Sequence, residues 1–154
     1  MTRLWIVLLV AALACPSCAA MRAVVDPHED TLTAKEHLDL GRAYEAEGRP
    51  DRAVVQYEQA ADEIPEAWLF LGNAHYSLGD HDQAEDAFRQ AVEALPDNPE
   101  ARNNLAWVLY EQDKDLEEAE ALAQQAVSLS PPENRAPYQD TLDKILEKLR
   151  AVPE

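Results

Sequence analysis

The chain has 154 residues and carries 30 acidic against 13 basic side chains, a formal charge of −17, which bounds it to one domain or a short repeat array. That charge argues against nucleic-acid binding, which depends on neutralising phosphates with Lys and Arg, and keeps the chain off an anionic lipid surface unless a covalent anchor holds it there. Ala, Leu, Glu and Gln are plentiful and β-branched residues are thin, so propensity and composition agree on an all-α fold.

Met1 to Arg3 gives a positive start, and Leu4 to Ala14 is an unbroken apolar run of 11 residues. This length fits a signal-peptide core rather than a spanning helix, which needs about 20 apolar residues. Ala12-Leu13-Ala14-Cys15 resembles a bacterial lipobox, which implies that Cys15 is lipidated and becomes the N-terminus of an exported, membrane-anchored lipoprotein facing the periplasm. Cleavage after Cys18-Ala19-Ala20 would instead release a soluble periplasmic or secreted chain, and an uncleaved anchor running through Met21 is a third reading. Cys15-Pro16-Ser17-Cys18 also spells C-x-x-C. A redox pair would need a βαβ setting, a tetrahedral zinc site two further ligands, and a haem attachment a His where Ala19 stands, so no metal or cofactor is expected. Residues 1–20 thus form the signal and lipobox region, and residues 21–33, polar and unpatterned around Pro27, form a tether.

A first helical hairpin is expected over residues 34–64, marked by His37, Leu40, Gly41, Tyr44, Ala53, Tyr57 and Ala60, with Pro65 after it. Thr33 followed by Glu36 reads as a capping box, Gly48 as a helix stop, and Pro50 as a first-turn proline. Pro65 falls only three residues before Trp68, a compressed junction that leaves the angle between the first two hairpins open.

The second hairpin, residues 65–98, carries Trp68, Leu71 and Gly72, then Ala84, Phe88, Ala91 and Pro96, the spacing W-x2-L-G, A-x3-F, P. This resembles the tetratricopeptide repeat (TPR) family, with His75 where its Tyr is expected. Gly72, Ala84 and Ala91 are expected to let the two helices cross closely, with Trp68, Leu71 and Phe88 filling the surrounding volume. Gly79 is expected in a left-handed turn and Asp80 as the cap of the next helix. The third hairpin, residues 99–133, has Leu105-Ala106, then Leu109, Ala119, Ala123, Ala126 and Pro131, and its turn is one residue longer and lacks Gly. A capping helix over about 136–150 closes the array, with Leu142, Ile145, Leu146 and Leu149 turned to the third hairpin. The expected fold is thus a three-repeat TPR solenoid with a C-terminal cap over residues 34–150, following an N-terminal signal peptide.

The resemblance implies a concave groove lined by the first helix of each hairpin. Its slots fall on Lys35, Leu38, Arg42 and Glu45, then Glu66, Leu69, Asn73 and Tyr76, then Glu100, Asn103, Trp107 and Tyr110. The candidate partner-binding residues are Asn73, Tyr76, Asn103, Trp107, Tyr110, Leu69 and Arg42: Asn binds peptide backbone, and Tyr and Trp give anchor area with a polar handle. Trp107 has the alternative role of packing on the capping helix. Leu38 stands where a carboxylate-gripping TPR would have its first clamp Lys, so a chaperone-tail function is not expected. His37, His75 and His81 lack the spacing of a helical metal site. The acidic run from Asp113 to Glu120 reads either as a lure for a basic partner or as a solvated helix start. Without a Gly-rich phosphate loop or a Ser/His/Asp set, no catalysis is expected. The implied function is a protein-interaction adaptor in the bacterial envelope that holds a peptide or protein segment in its groove. The alternative is a structural subunit docked through its convex or capping surface.

Overall fold

The computed structural model describes residues 31–151. The signal and lipobox region with Cys15, and residues 21–30 of the tether, lie outside the described residues. Seven α-helices are found among the described residues: α1 Ala34–Ala46, α2 Pro50–Ala61, α3 Glu66–Leu78, α4 His81–Ala94, α5 Pro99–Glu111, α6 Leu116–Leu129 and α7 Ala136–Ala151, with a 3-10 turn Pro132–Asn134 before the last. Helices α1–α2, α3–α4 and α5–α6 pack as hairpins, each hairpin packs on the next, and α7 closes on α6 and α5. No helix among the described residues is long and apolar enough to cross a membrane.

The starts and stops follow from local chemistry. Thr33 accepts from the Glu36 amide at 3.3 Å while Glu36 accepts from the Thr33 amide at 2.8 Å, so the capping box is complete. Pro50 opens α2, where its missing amide has no helical partner to lose. The three first helices end in one device. The amides of Arg49, Asp80 and Lys114 each reach back five residues, to the carbonyls of Tyr44, His75 and Leu109, at 2.9, 3.0 and 3.0 Å. This Schellman closure needs a left-handed residue just before the donor. Gly48 (φ 71°) and Gly79 (φ 80°) supply it, and in the Gly-less third turn Asp113 (φ 54°) does so. Asp80 does not cap as expected: it sits at the head of α4 but makes no capping bond, and its carboxylate lies 3.7 Å from the His75 ring instead. Asp115 does cap α6, accepting from the Glu118 amide at 3.0 Å.

At the compressed junction Pro65 itself takes helical angles (φ −53°, ψ −34°), so α3 starts with no spacer to spare. The seam is closed by Phe70 stacking on Tyr57 at 5.6 Å. His37, in the slot of the missing Trp, is buried, with Nδ1 3.0 Å from Gln56 Oε1.

Where the helices of a hairpin cross, an aromatic ring rests on glycine. A methyl group built on Gly72 would meet the Phe88 ring at 2.4 Å, and one on Gly41 would meet Tyr57 at 2.5 Å. In the third hairpin Ala123 takes the aromatic slot, and there the crossing position carries a methyl group, Ala106. Leu69, Phe88, Leu105, Val108, Leu109, Leu122, Leu142 and Ile145 belong to one buried cluster that spans the second and third hairpins and the cap, with Leu146 and Leu149 packed against it. The first hairpin shares two smaller clusters with the second, one of them reaching Ala87 on α4.

Candidate functional site

The face formed by α3 and α5 carries side chains fixed by one another. Trp107 Nε1 donates to the Tyr76 hydroxyl at 2.8 Å, and Tyr76 donates in turn to Glu111 Oε2 at 2.7 Å. Partial burial, followed by the neighbouring carboxylate of Glu111, raises the Tyr76 hydroxyl above its ordinary pKa, so it stays protonated and keeps donating. One turn earlier on each helix, Asn104 Nδ2 donates to Asn73 Oδ1 at 2.9 Å. Between these two bonded pairs lies a cavity of about 210 Å³ whose lining also includes Phe88 and Val108. Phe88 is 1% exposed and Val108 fully buried, so the floor is apolar core and the rim is amide, phenol and indole.

Helix α7 covers the neighbouring aromatics. Lys144 Nζ lies 5.1 Å from the centre of the Trp107 ring and Lys148 Nζ 4.4 Å from that of Tyr110, within cation–π range. Trp107 and Tyr110 are themselves 5.3 Å apart. Lys148 also donates to the Tyr110 carbonyl at 2.7 Å and pairs with Asp113, and Lys144 pairs with Asp140 at 2.6 Å.

Of the residues singled out in the sequence, Asn73, Tyr76, Trp107 and Tyr110 are brought together. Asn103 adjoins them: its Nδ2 is 3.5 Å from Asn104 Oδ1, and its own Oδ1 is buried without a hydrogen-bond partner. Arg42 lies on the first hairpin, 5.5 Å over the Phe70 ring. Leu69 is a correction. At 6% exposed it belongs to the core cluster and offers no groove surface, because its slot points an apolar side chain at the inter-hairpin seam. Four participants escape the slot pattern. Asn104 reaches back to the preceding hairpin from the position beside the expected Asn103. Glu111 and the pair Lys144 and Lys148 act across elements, and no local spacing marks them. The acidic run is largely consumed by the fold, since Asp115 caps α6, Glu118 binds Arg89 at 2.6 and 2.9 Å, and Asp113 pairs with Lys148. Among the described residues no group of His, Cys, Asp and Glu could hold a metal ion.

Antiparallel helical hairpins stacked in chain order, with polar side chains of successive first helices bonded across the seam, define a helical-hairpin repeat protein. The sequence model described as "Tetratricopeptide repeat" matches residues 38–99 and 71–134, more than half of the chain, and the chain belongs to the tetratricopeptide repeat family. The fold is similar to the first TPR of Spaghetti (RPAP3) bound to HSP90 peptide SRMEEVD, at TM-score 0.70 and 22% identity over 81% of this chain and 99% of that one. It is similar to PcrH from Pseudomonas aeruginosa in complex with the chaperone binding region of PopD, at TM-score 0.70 and 19% identity over 79% and 98%. The TPR domain of Sgt2 from Aspergillus fumigatus gives TM-score 0.69 and 17% identity over 79% and 85%. Comparison with curated proteins gives no match.

Proposed function

We propose that the chain is a non-enzymatic adaptor that holds a peptide or protein segment on the face of α3 and α5, exported to the bacterial envelope and anchored there by a lipid on Cys15. The observation that carries the binding reading is the cavity rimmed by the bonded pairs Asn73–Asn104 and Tyr76–Trp107. A rim already fixed by internal bonds loses little side-chain freedom when a partner docks. Structures alike in fold that hold a peptide or a protein segment support the same reading. The apolar run Leu4–Ala14 and the sequence Ala12–Cys15 support export and anchoring.

A crosslinking capture from the native envelope tests the binding. Changing Tyr76 and Trp107 together to alanine should abolish capture while circular dichroism still reports a folded helical array. Capture retained by that variant would place the interface elsewhere. The cover that Lys144 and Lys148 lay over Trp107 and Tyr110 favours, as a second reading, docking through the cap or the convex side. Labelling with a fatty-acid analogue tests the anchor, and an unlabelled mature chain starting at Met21 would refute it.

A further inference from the structure

Glu111 is the carboxylate bonded to a residue that rims the cavity, through the Tyr76 hydroxyl. Asp82 and Glu85 pair with Lys114, Glu118 with Arg89, Asp113 with Lys148, and Asp140 with Lys144. Glu111 is exposed and is held by the Tyr76 hydroxyl at 2.7 Å, with no cation beside it among the described residues. Since Trp107 fixes Tyr76, the carboxylate stands preorganised next to a residue that rims the cavity of about 210 Å³. An apolar cavity of about 150 Å³ accommodates a molecule the size of benzene, so this one has room for a Leu, Ile or Met side chain above Phe88 and Val108. Lys144 over Trp107 and Lys148 over Tyr110 occupy the adjoining aromatic faces, and each is paired with a carboxylate of its own, Asp140 and Asp113. The formal charge of −17 supplies a long-range field that steers a basic partner in and repels an acidic one.

Building on the groove reading above, we propose that the site takes an extended basic segment of a partner protein, with an aliphatic side chain in the Asn73–Trp107 cavity and an adjacent Lys or Arg on Glu111. The test is selection from a random linear peptide library on the full-length chain, followed by affinity measurement on the selected peptides. Selected peptides should pair Leu, Ile or Met with a Lys or Arg within two positions. Glu111→Gln preserves the acceptor for Tyr76 and removes only the charge, and it should weaken these peptides about tenfold at low salt. Glu111→Lys should shift selection toward Asp or Glu at the position beside the aliphatic anchor. Selection of acidic or uncharged peptides, or affinities indifferent to Glu111→Gln but lost in Asn73→Ala, would overturn the basic-segment inference and leave the groove reading standing. Binding indifferent to Asn73→Ala and Glu111→Gln alike, or no selection at all, would overturn both.

Discussion

Gly72 and Gly79 sit on the same hairpin and are required for unrelated physical reasons, which a single type of substitution separates. Gly79 is left-handed with open space around it, so Gly79→Ala meets no neighbour and suffers only the backbone penalty, roughly 1 kcal/mol. Gly72 lies within α3 with the Phe88 ring at 2.4 Å from where a methyl group would go. Helix propensity alone would favour alanine there by about 1 kcal/mol, but overpacking a full core costs roughly 1–3 kcal/mol, so Gly72→Ala should lower the melting temperature. Phe88→Leu removes the ring. In that background Gly72→Ala should be neutral or stabilising, while the effect of Gly79→Ala should stay the same. Additivity of Gly72→Ala and Phe88→Leu in denaturant unfolding would show that the ring is not the obstacle. The third hairpin already carries the relaxed combination, Ala106 with Ala123.

At the level of elements, what the sequence makes legible is whatever is encoded within one turn or one hairpin. The Thr33–Glu36 box, the prolines at helix starts and the glycine stops are local, and so is the spacing that sets seven helices in order. Asp80 defeats the local reading because its backbone angles (φ −83°, ψ 65°) leave its carboxylate without a capping bond. The site is only half legible. Slots find Asn73, Tyr76, Trp107 and Tyr110, but Asn104, Glu111, Lys144 and Lys148 owe their roles to partners 31 to 38 residues away or to the cap's approach. The seam between α4 and α6 is equally non-local: Arg89 bridges Glu85 on its own helix and Glu118 on the next hairpin. Its hydrogen bonds to Arg89 hold the Glu118 carboxyl below the ordinary value of 4.5. A depressed carboxylate stabilises the fold fully above that ordinary value, and the gain is lost as pH falls through the lower folded value. The pair is partly exposed, so solvent screening limits it to about 1 kcal/mol. Glu118→Gln should therefore melt a few degrees below the parent at pH 7, with the gap closing as pH drops well under 4.5. A gap unchanged at low pH would mean that the seam is held by packing and not by charge.

Among the described residues the two ends of the array differ in how much they bury. Helix α7 covers the last hairpin with Leu142 and the fully buried Ile145, both within the large core cluster. Helix α1 buries only His37 and Gly41, and its neighbours share the two smaller clusters. In a solenoid each repeat is stabilised by its own packing and by the interface with its neighbour, so opening starts where those terms are smallest. The second hairpin lies in both kinds of cluster, with Leu71 and Ala87 facing the first hairpin and Leu69 and Phe88 facing the third, so it is the last to lose its surroundings. Native-state hydrogen exchange should rank accordingly. Amides of α1 should open at free energies a few kcal/mol below the global value, those of α2 should come next, and those of α3 to α6 should exchange only by global unfolding. Ile145→Ala, which removes buried volume worth roughly 2–5 kcal/mol, should lower protection in α3 to α7 and leave α1 unchanged, because α1 already opens independently. Exchange in α1 as slow as in α5, or a fall in α1 protection with Ile145→Ala, would make the array a single cooperative unit. In that case the α3–α5 face could not remain folded while the first hairpin opens.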